Sequence, residues 1–193
     1  MESAAEGPLV VGIGGTARPG STTDRALRIG LEAARGAGAR TMCFGGHFIA
    51  GLPTYEPQSP IRTPDTRRLL QALRSADGVL VASPGYHGGV SGVVKNAIDL
   101  LEDTRGDERA YFDGMPVGLI VSAAGWQAGG VTLAALRGIV HAMRGWPTPV
   151  GIAINSIEQK PFAPDGSLKD ESVACAVELQ AKQIMSFRLA EAA

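Results

Sequence analysis

Cysteine is scarce in this 193-residue chain: Cys43 and Cys175 stand far apart and in no CxxC spacing. That pattern argues against a disulfide framework or a thiolate metal site. It makes both residues candidates for small buried apolar side chains. An excess of one charge is also missing. The 18 Lys and Arg balance 19 Asp and Glu, for a formal net charge of −1. With no basic block, neither nucleic acid nor an anionic membrane is expected as a partner. Long apolar runs are absent: segments such as Val117–Val121 are far too short to span a bilayer. Met1 to Gly7 carries two glutamates and no apolar stretch, unlike a signal peptide. A reducing, cytoplasmic location is therefore expected. No nucleophile elbow, metal cluster or acid/base pair emerges, so no catalytic side chain is assigned. What the chain does have is 45% hydrophobic and 19% charged residues. That suits one globular domain over residues 1–193, with its core at about 8–188.

Apolar and amphipathic segments alternate. Leu9–Ile13, Thr41–Phe44, Gly78–Ala82, Val117–Ser122 and Val150–Ile154 read as strands. Helices follow each strand. The first covers 23–35, with Leu27, Leu31 and Ala34 inward, and Gly36 can end it. The second starts at Thr63-Pro64 with Leu69, Leu73 and Ala76 as its stripe. The third covers 91–103 with Val94, Ala97, Ile98 and Leu101 on one side, and the fourth carries Leu133, Leu136, Val140 and Met143. The last, capped by Asp170, carries Val173, Val177 and Ile184. Residues 45–62, rich in Gly and Pro, read as a loop. The β/α alternation predicts an α/β three-layer sandwich. Its five-stranded parallel sheet is expected in the flavodoxin-like order 2-1-3-4-5, with ligands beyond the carboxyl ends of the strands.

The loop after the first strand, Gly14–Thr23, offers hydroxyls at Thr16, Ser21, Thr22 and Thr23 and the guanidinium of Arg18. It leads into a helix N-terminus, whose free N–H groups and dipole favour an anion. The set therefore predicts a phosphate site, although any one hydroxyl also serves as an ordinary cap. Two other motifs overlap here and fail. Gly12-x-Gly14-x-x-Ala17 needs a helix opening within it, which Pro19 opposes at Arg18, and an acid after the second strand, which is missing. Gly15-x-x-x-x-Gly20-Ser21-Thr22 has serine where a triphosphate loop needs lysine.

The third strand runs into Ser83-Pro84-Gly85-Tyr86-His87-Gly88-Gly89-Val90-Ser91-Gly92-Val93-Val94-Lys95-Asn96-Ala97-Ile98-Asp99. This stretch resembles the S-P-x-Y-x-x-x-x-x-G-x-x-K-N-x-x-D segment of the NAD(P)H-dependent FMN reductases. The first loop resembles their G-S-x-R-x-x-S pattern, with Thr16 in place of serine. The likeness extends over about residues 9 to 155. Gly85, His87 and Ser91 stand where glutamate, asparagine and proline are frequent, departures that bear on the electron acceptor and on local subunit contacts.

The resemblance implies FMN as cofactor and NADPH or NADH as co-substrate. Arg18 would neutralise the phosphate, and Thr16, Ser21, Thr22 and Thr23 would hydrogen-bond it. Pro84, Gly85, Tyr86, His87 and Gly88 would face the flavin through close backbone and a flat ring. Ser122, Gly125 and Trp126, from the loop after the fourth strand, would border it. Asn96 and Asp99 are placed to fasten loops or meet a second subunit. His141 is read as structural. A homodimer or dimer of dimers is expected, partly because Phe48, Ile49, Leu52 and Tyr55 in the 45–62 loop need cover. Electrons would pass to free flavin, a quinone or a monooxygenase partner. Quinone, azo or chromate reduction with retained FMN is the alternative. A flavodoxin-like carrier fits less well with so little net charge.

Overall fold

The structure, a computed structural model, describes residues 7–187. Its elements in chain order are β1 (Leu9–Gly14), α1 (Thr22–Gly36), β2 (Arg40–Phe44), α2 (Gly46–Ala50), α3 (Pro64–Arg74), β3 (Gly78–Tyr86) and β4 (Gly89–Val90). Then follow α4 (Gly92–Asp99), a 3-10 turn over Leu100–Thr104, β5 (Pro116–Ala123), α5 (Trp126–Ala142), β6 (Trp146–Asn155) and α6 (Glu171–Met185). Five strands pair in parallel in the order β2-β1-β3-β5-β6, with β4 hooked antiparallel onto β3. The five long strands thus take the expected flavodoxin-like order. The direction of winding reverses between β1 and β3, where such sheets form their ligand crevice.

Alternation along the strands divides the core between two faces. Val11, Ile13, Val79, Val81, Leu119 and Val121 pack with Leu69 and Leu73 of α3, Val94 and Ile98 of α4, and Leu136 and Val140 of α5. Val10, Leu80, Ala82, Ile120, Ile152 and Ile154 pack with Leu27 and Leu31 of α1 and Val173, Val177 and Ile184 of α6. The helices end where local chemistry dictates. Ser21, Thr63, Ser91 and Asp170 each occupy an N-cap and accept a backbone N–H from the first turn. One buried polar side chain mends the sheet. The β5–β6 register shifts between Val117 and Leu119. There Gln180 of α6 donates through Nε2 to the carbonyls of Leu119 (3.1 Å) and Val150 (2.8 Å).

Several sequence expectations need correction. Residues 45–62 are not all loop: α2 forms because Ile49 and Phe48 find the core, with Phe48 tilted on Phe44 at 5.0 Å. That same packing covers Ile49 and Leu52 and partly buries Phe48 and Tyr55 within the chain. β3 continues past Ala82 because Ser83 and Pro84 still pair with Val121 and Ser122. The helix expected over 91–103 is α-helical only to Asp99. Cys43 and Cys175 are exposed, one on the edge strand β2 and the other on the outer side of α6. His141 is likewise exposed on α5.

Candidate functional site

Where β1 ends, the chain turns sharply against its neighbours. Gly14 (φ 141°) lies so close to β3 that a Cβ there would sit 1.9 Å from the Ala82 carbonyl oxygen. The backbone of Thr16 is backed by α2: a Cβ on Gly46 would lie 2.0 Å from the Thr16 carbonyl oxygen. The Thr16 hydroxyl closes the loop on itself, donating to the Arg18 carbonyl (3.1 Å) and accepting the Arg18 N–H (3.2 Å). Gly20 (φ 66°) then delivers the chain to α1.

Ser21 caps α1 by accepting the Asp24 N–H at 3.2 Å. The N–H groups of Thr22 and Thr23, one and two positions into the helix, have no intrahelical acceptor. Arg18 is exposed and, among the described residues, forms no ion pair. One negative charge lies near, that of Asp24 in the first turn of α1. It is met by Arg28 Nε at 3.0 Å, and this bond holds the guanidinium pKa above its ordinary value. The result is an uncompensated cation beside free amide donors at a helix N-terminus, the chemistry that receives a phosphate.

Across the cleft, β3 and β4 form a hairpin. Tyr86 pairs with Gly89, and His87 (φ 52°) and Gly88 (φ 75°) make the two-residue turn, both in the left-handed region as a type I′ turn requires. Ser83, fully buried, anchors the hairpin by accepting the Ser91 N–H at 3.1 Å and donating to the Pro84 carbonyl at 2.9 Å. A side chain at Gly85 would be crowded. A Cβ there would meet Thr132 Oγ1 at 3.0 Å, Ala123 Cβ at 3.1 Å and the Ala128 carbonyl at 3.2 Å, so α5 occupies the space.

These loops enclose a cleft of about 480 Å3 at the carboxyl ends of the strands. Of the residues expected there, Thr16, Arg18, Ser21, Thr22, Thr23, Pro84, Gly85, Tyr86, His87 and Ser122 line it together. Gly88, Gly125 and Trp126 do not. Gly88 is the far residue of the hairpin turn, and Gly125 is the extended N-cap of α5. Trp126 sends its indole N–H to Glu158 Oε2 at 2.7 Å. Ala123, Ala124 and Ser156 complete the lining and were not anticipated. Ser156 follows β6, and its N–H (2.8 Å) and hydroxyl (3.1 Å) both reach the Ala123 carbonyl. The rule that ligands lie beyond the strand carboxyl ends, extended to the last strand, would have found it. Asn96 fastens a loop as expected, accepting the Tyr55 N–H (2.8 Å) and donating to the Pro53 carbonyl (3.0 Å); Asp99 instead pairs with Lys95. A second cleft, of about 540 Å3, opens at the opposite end of the sheet. Its charged groups are already bonded: Asp77 accepts the Leu9 N–H, and Arg109 donates to the carbonyls of Leu73, Arg74 and Ala76. Among the described residues no group of three His, Cys, Asp or Glu side chains is arranged to hold a metal, and no helix is long and apolar enough to cross a membrane.

Known proteins resemble this chain in sequence and in fold. The chain is 35% identical over 123 residues to an FMN-dependent NADPH-azoreductase of Staphylococcus aureus, a match covering 62% of this chain and 60% of the relative's length. Among solved structures, the NAD(P)H:(acceptor) oxidoreductase FerB from Paracoccus denitrificans superposes with a TM-score of 0.73 at 22% identity, covering 92% of this chain and 97% of that one. A WrbA-like flavodoxin from Agrobacterium tumefaciens superposes with a TM-score of 0.60 at 16% identity, over 92% of this chain and 95% of that one. The two superpositions establish the flavodoxin-like fold. The sequence also matches the family described as NADPH-dependent FMN reductase, over residues 8–159. The chain belongs to the NADPH-dependent FMN reductase family.

Proposed function

We propose that this protein is an NAD(P)H-dependent FMN oxidoreductase. The observation that carries this is the pairing, in one cleft, of an unpartnered Arg18 and free Thr22 and Thr23 amides with the flat Pro84–His87 wall. The donor set fits one terminal phosphate, and the wall fits a planar ring. Arg18, the Thr22 and Thr23 amides and the Ser21 hydroxyl hold the phosphate. The Thr16 hydroxyl keeps Arg18 in place by shaping its turn. Pro84, Gly85 and Tyr86 offer backbone and an aromatic face, and Ser122 and Ser156 offer hydroxyls on the far wall. When bound, FMN supplies the redox chemistry, taking a hydride from NADPH or NADH and passing electrons to a quinone, an azo compound or a monooxygenase partner. The protein's share is orientation and exclusion of water, so no side chain need act as nucleophile.

The test is titration with FMN, FAD and riboflavin, followed by Arg18→Ala. FMN is expected to bind tightest. The variant should lose about 1–3 kcal/mol of FMN binding, roughly 5- to 150-fold in Kd, with its fold intact. Unchanged affinity in the variant, or tighter FAD binding by the parent, would reject the reading.

The same reading includes a homo-oligomer. The outer side of α5 exposes Gly130, Val131, Ala134, Ala135, Gly138 and Ala142, with His141 as its one titratable side chain; Arg137 folds back onto the carbonyls of Thr148 and Pro149. Beside it runs a groove of about 560 Å3, whose apolar lining includes Tyr55, Ile98, Ile139 and Met143 and whose charged lining is Lys95, Asp99 and Glu102. We assign this face to a second copy of the chain. Light scattering at micromolar concentration should give a multiple of 20.0 kDa, and Ala134→Glu should reduce it to a single chain. A parent already at that mass removes the claim.

A further inference from the structure

Seven large hydrophobic side chains are exposed among the described residues, and four of them are close in sequence or in space to the segments that line the carboxyl-end cleft. Tyr86 (58% exposed) and Val131 (53%) flank the hairpin turn, where Val131 Cγ1 lies 3.9 Å from the place of a Gly88 Cβ. Trp126 (50%) opens α5, two residues after the cleft-lining Ala124, and Ile157 (60%) follows the cleft-lining Ser156 in the loop after β6. One carboxylate is fixed among them. Glu158 is exposed, yet it is held at two points: its N–H donates to Asn155 Oδ1 (3.1 Å), and its carboxylate accepts the Trp126 indole N–H (2.7 Å). Asn155 is buried and pinned in turn, its own N–H donating to Gln159 Oε1 at 2.7 Å. The loop is clamped to β5 through Ser156 and Ala123, both of which line the cleft.

A mobile surface carboxylate is screened by water and exerts little force. One held by a ring N–H is still screened, but it presents its charge at a fixed point, so its effect on an approaching ion is largest at low salt. The positive group of the cleft, Arg18, is on the β1 side and is neutralised by a bound phosphate. The fixed charge at the β6 side is then negative. The other titratable groups here are Tyr86 and His87 on the hairpin and Lys160, Asp165, Lys169 and Asp170 in the segment after β6, with Arg25 of α1 facing that segment over Phe162 at 5.8 Å.

We propose that the Trp126–Glu158 pair is a charge selector for the electron acceptor: the rim admits planar, apolar acceptors that are neutral or cationic and disfavours anionic ones. This rests on the flavin-oxidoreductase reading above and adds the acceptor class to it. For a quinone, the two electrons and one hydrogen come from NAD(P)H and the second proton from water, giving the hydroquinone.

The experiment compares a neutral naphthoquinone, menadione, with an anionic one, 1,2-naphthoquinone-4-sulfonate. Equilibrium dialysis of each against FMN-loaded protein without nicotinamide gives binding, and steady-state kcat/KM gives turnover. Glu158→Gln should strengthen binding of the sulfonate and raise its kcat/KM by roughly two- to tenfold at low salt, with the gain shrinking at high salt and the neutral quinone changing less than twofold. Trp126→Phe, which keeps the charge but releases it, should shift the sulfonate-to-menadione ratio the same way by less. Lys160→Gln should shift that ratio the opposite way or not at all. Equal response of both quinones to Glu158→Gln, or a gain unaffected by salt, overturns the proposal. A parent that binds no FMN, or whose bound flavin NAD(P)H does not bleach, overturns the oxidoreductase reading instead; the dialysis arm reports the charge selectivity separately.

Discussion

Replacing Gly46 with alanine should weaken phosphate binding without touching a phosphate ligand. In isolation the change favours α2, since alanine outranks glycine in a helix by about 0.5–1 kcal/mol. Here the new methyl would lie 2.0 Å from the Thr16 carbonyl oxygen and 2.3 Å from the Thr16 nitrogen. Ordinary contact begins at 3.4 Å, so the shortfall at the oxygen is 3.4 − 2.0 = 1.4 Å. The helix is the stiffer partner, because Ile49 is 1% exposed and Phe48 is packed on Phe44. Thr16 to Arg18 is partly or fully exposed, so the loop gives way. A hydrogen bond has a window of only about 0.5 Å, and a displacement of more than that removes the Arg18 contribution while leaving the Thr22 and Thr23 amides on α1. The expected loss is about 1–3 kcal/mol, roughly 5- to 150-fold in the Kd for FMN. Stability of the apo protein should fall by a similar overpacking cost less the helix gain. Fluorescence titration with FMN and urea unfolding measure the two. Gly92→Ala is the control, because a Cβ at that helical glycine meets nothing within 4 Å. A Gly46→Ala protein with its Kd within twofold of the parent and an unchanged urea midpoint would refute the idea that α2 supports the loop.

Two further predictions concern stability. Gln180→Leu removes a donor from the Leu119 carbonyl and leaves the Val150 carbonyl with the Thr148 hydroxyl, and should cost about 1–3 kcal/mol in urea unfolding; a cost below about 0.5 kcal/mol would mean that the Leu119 carbonyl finds another donor. Asp170→Ala removes the α6 cap and should cost about 1 kcal/mol at pH 7. The Ser172 hydroxyl and then the Val173 N–H depress the Asp170 pKa in the folded state. Its stabilisation is therefore complete above the unfolded value of about 3.9 and is lost as pH falls through the lower folded value. The gap between parent and variant should close in that acid range, and a gap constant to pH 2 would contradict the assignment.

The sheet was legible because its central strands are covered on both faces, so Leu9–Ile13, Gly78–Ala82 and Val117–Ser122 show unbroken apolar runs between glycines and turn residues. Strand ends were not legible. β3 runs on through Ser83-Pro84 because β5 continues beside it, and β6 begins at Trp146 because Pro116 lies opposite; both depend on a neighbour, not on local pattern. α2 was hidden by Gly45, Gly46 and Gly51, which read as loop. In the fold one of them, Gly46, lets a five-residue helix approach the Thr16 backbone closely. The cysteines were misjudged because general burial tendency carries no information about an edge strand or an outward helix face.

The phosphate side of the site was readable because its chemistry is local in sequence: the hydroxyls, Arg18 and the start of α1 occupy eight consecutive positions, Thr16–Thr23. The far wall is assembled across the chain. Ser156 enters only because β6 lies beside β5 and the Ala123 carbonyl takes both of its donors. Gly85, read from sequence as a departure from a common glutamate, has a counterpart in the packing: Thr132 and Ala128 of α5 lie 3.0 and 3.2 Å from the place of its Cβ and would crowd a side chain. Trp126 was assigned to the flavin on the strength of its loop, but the direction of its indole is set by Glu158, 32 residues away. A loop sequence can specify which groups are available at the end of a strand. Which of them face the cleft and which are tied to a neighbouring loop is decided by sheet order, and here that order turns Trp126 from the cleft lining to its rim.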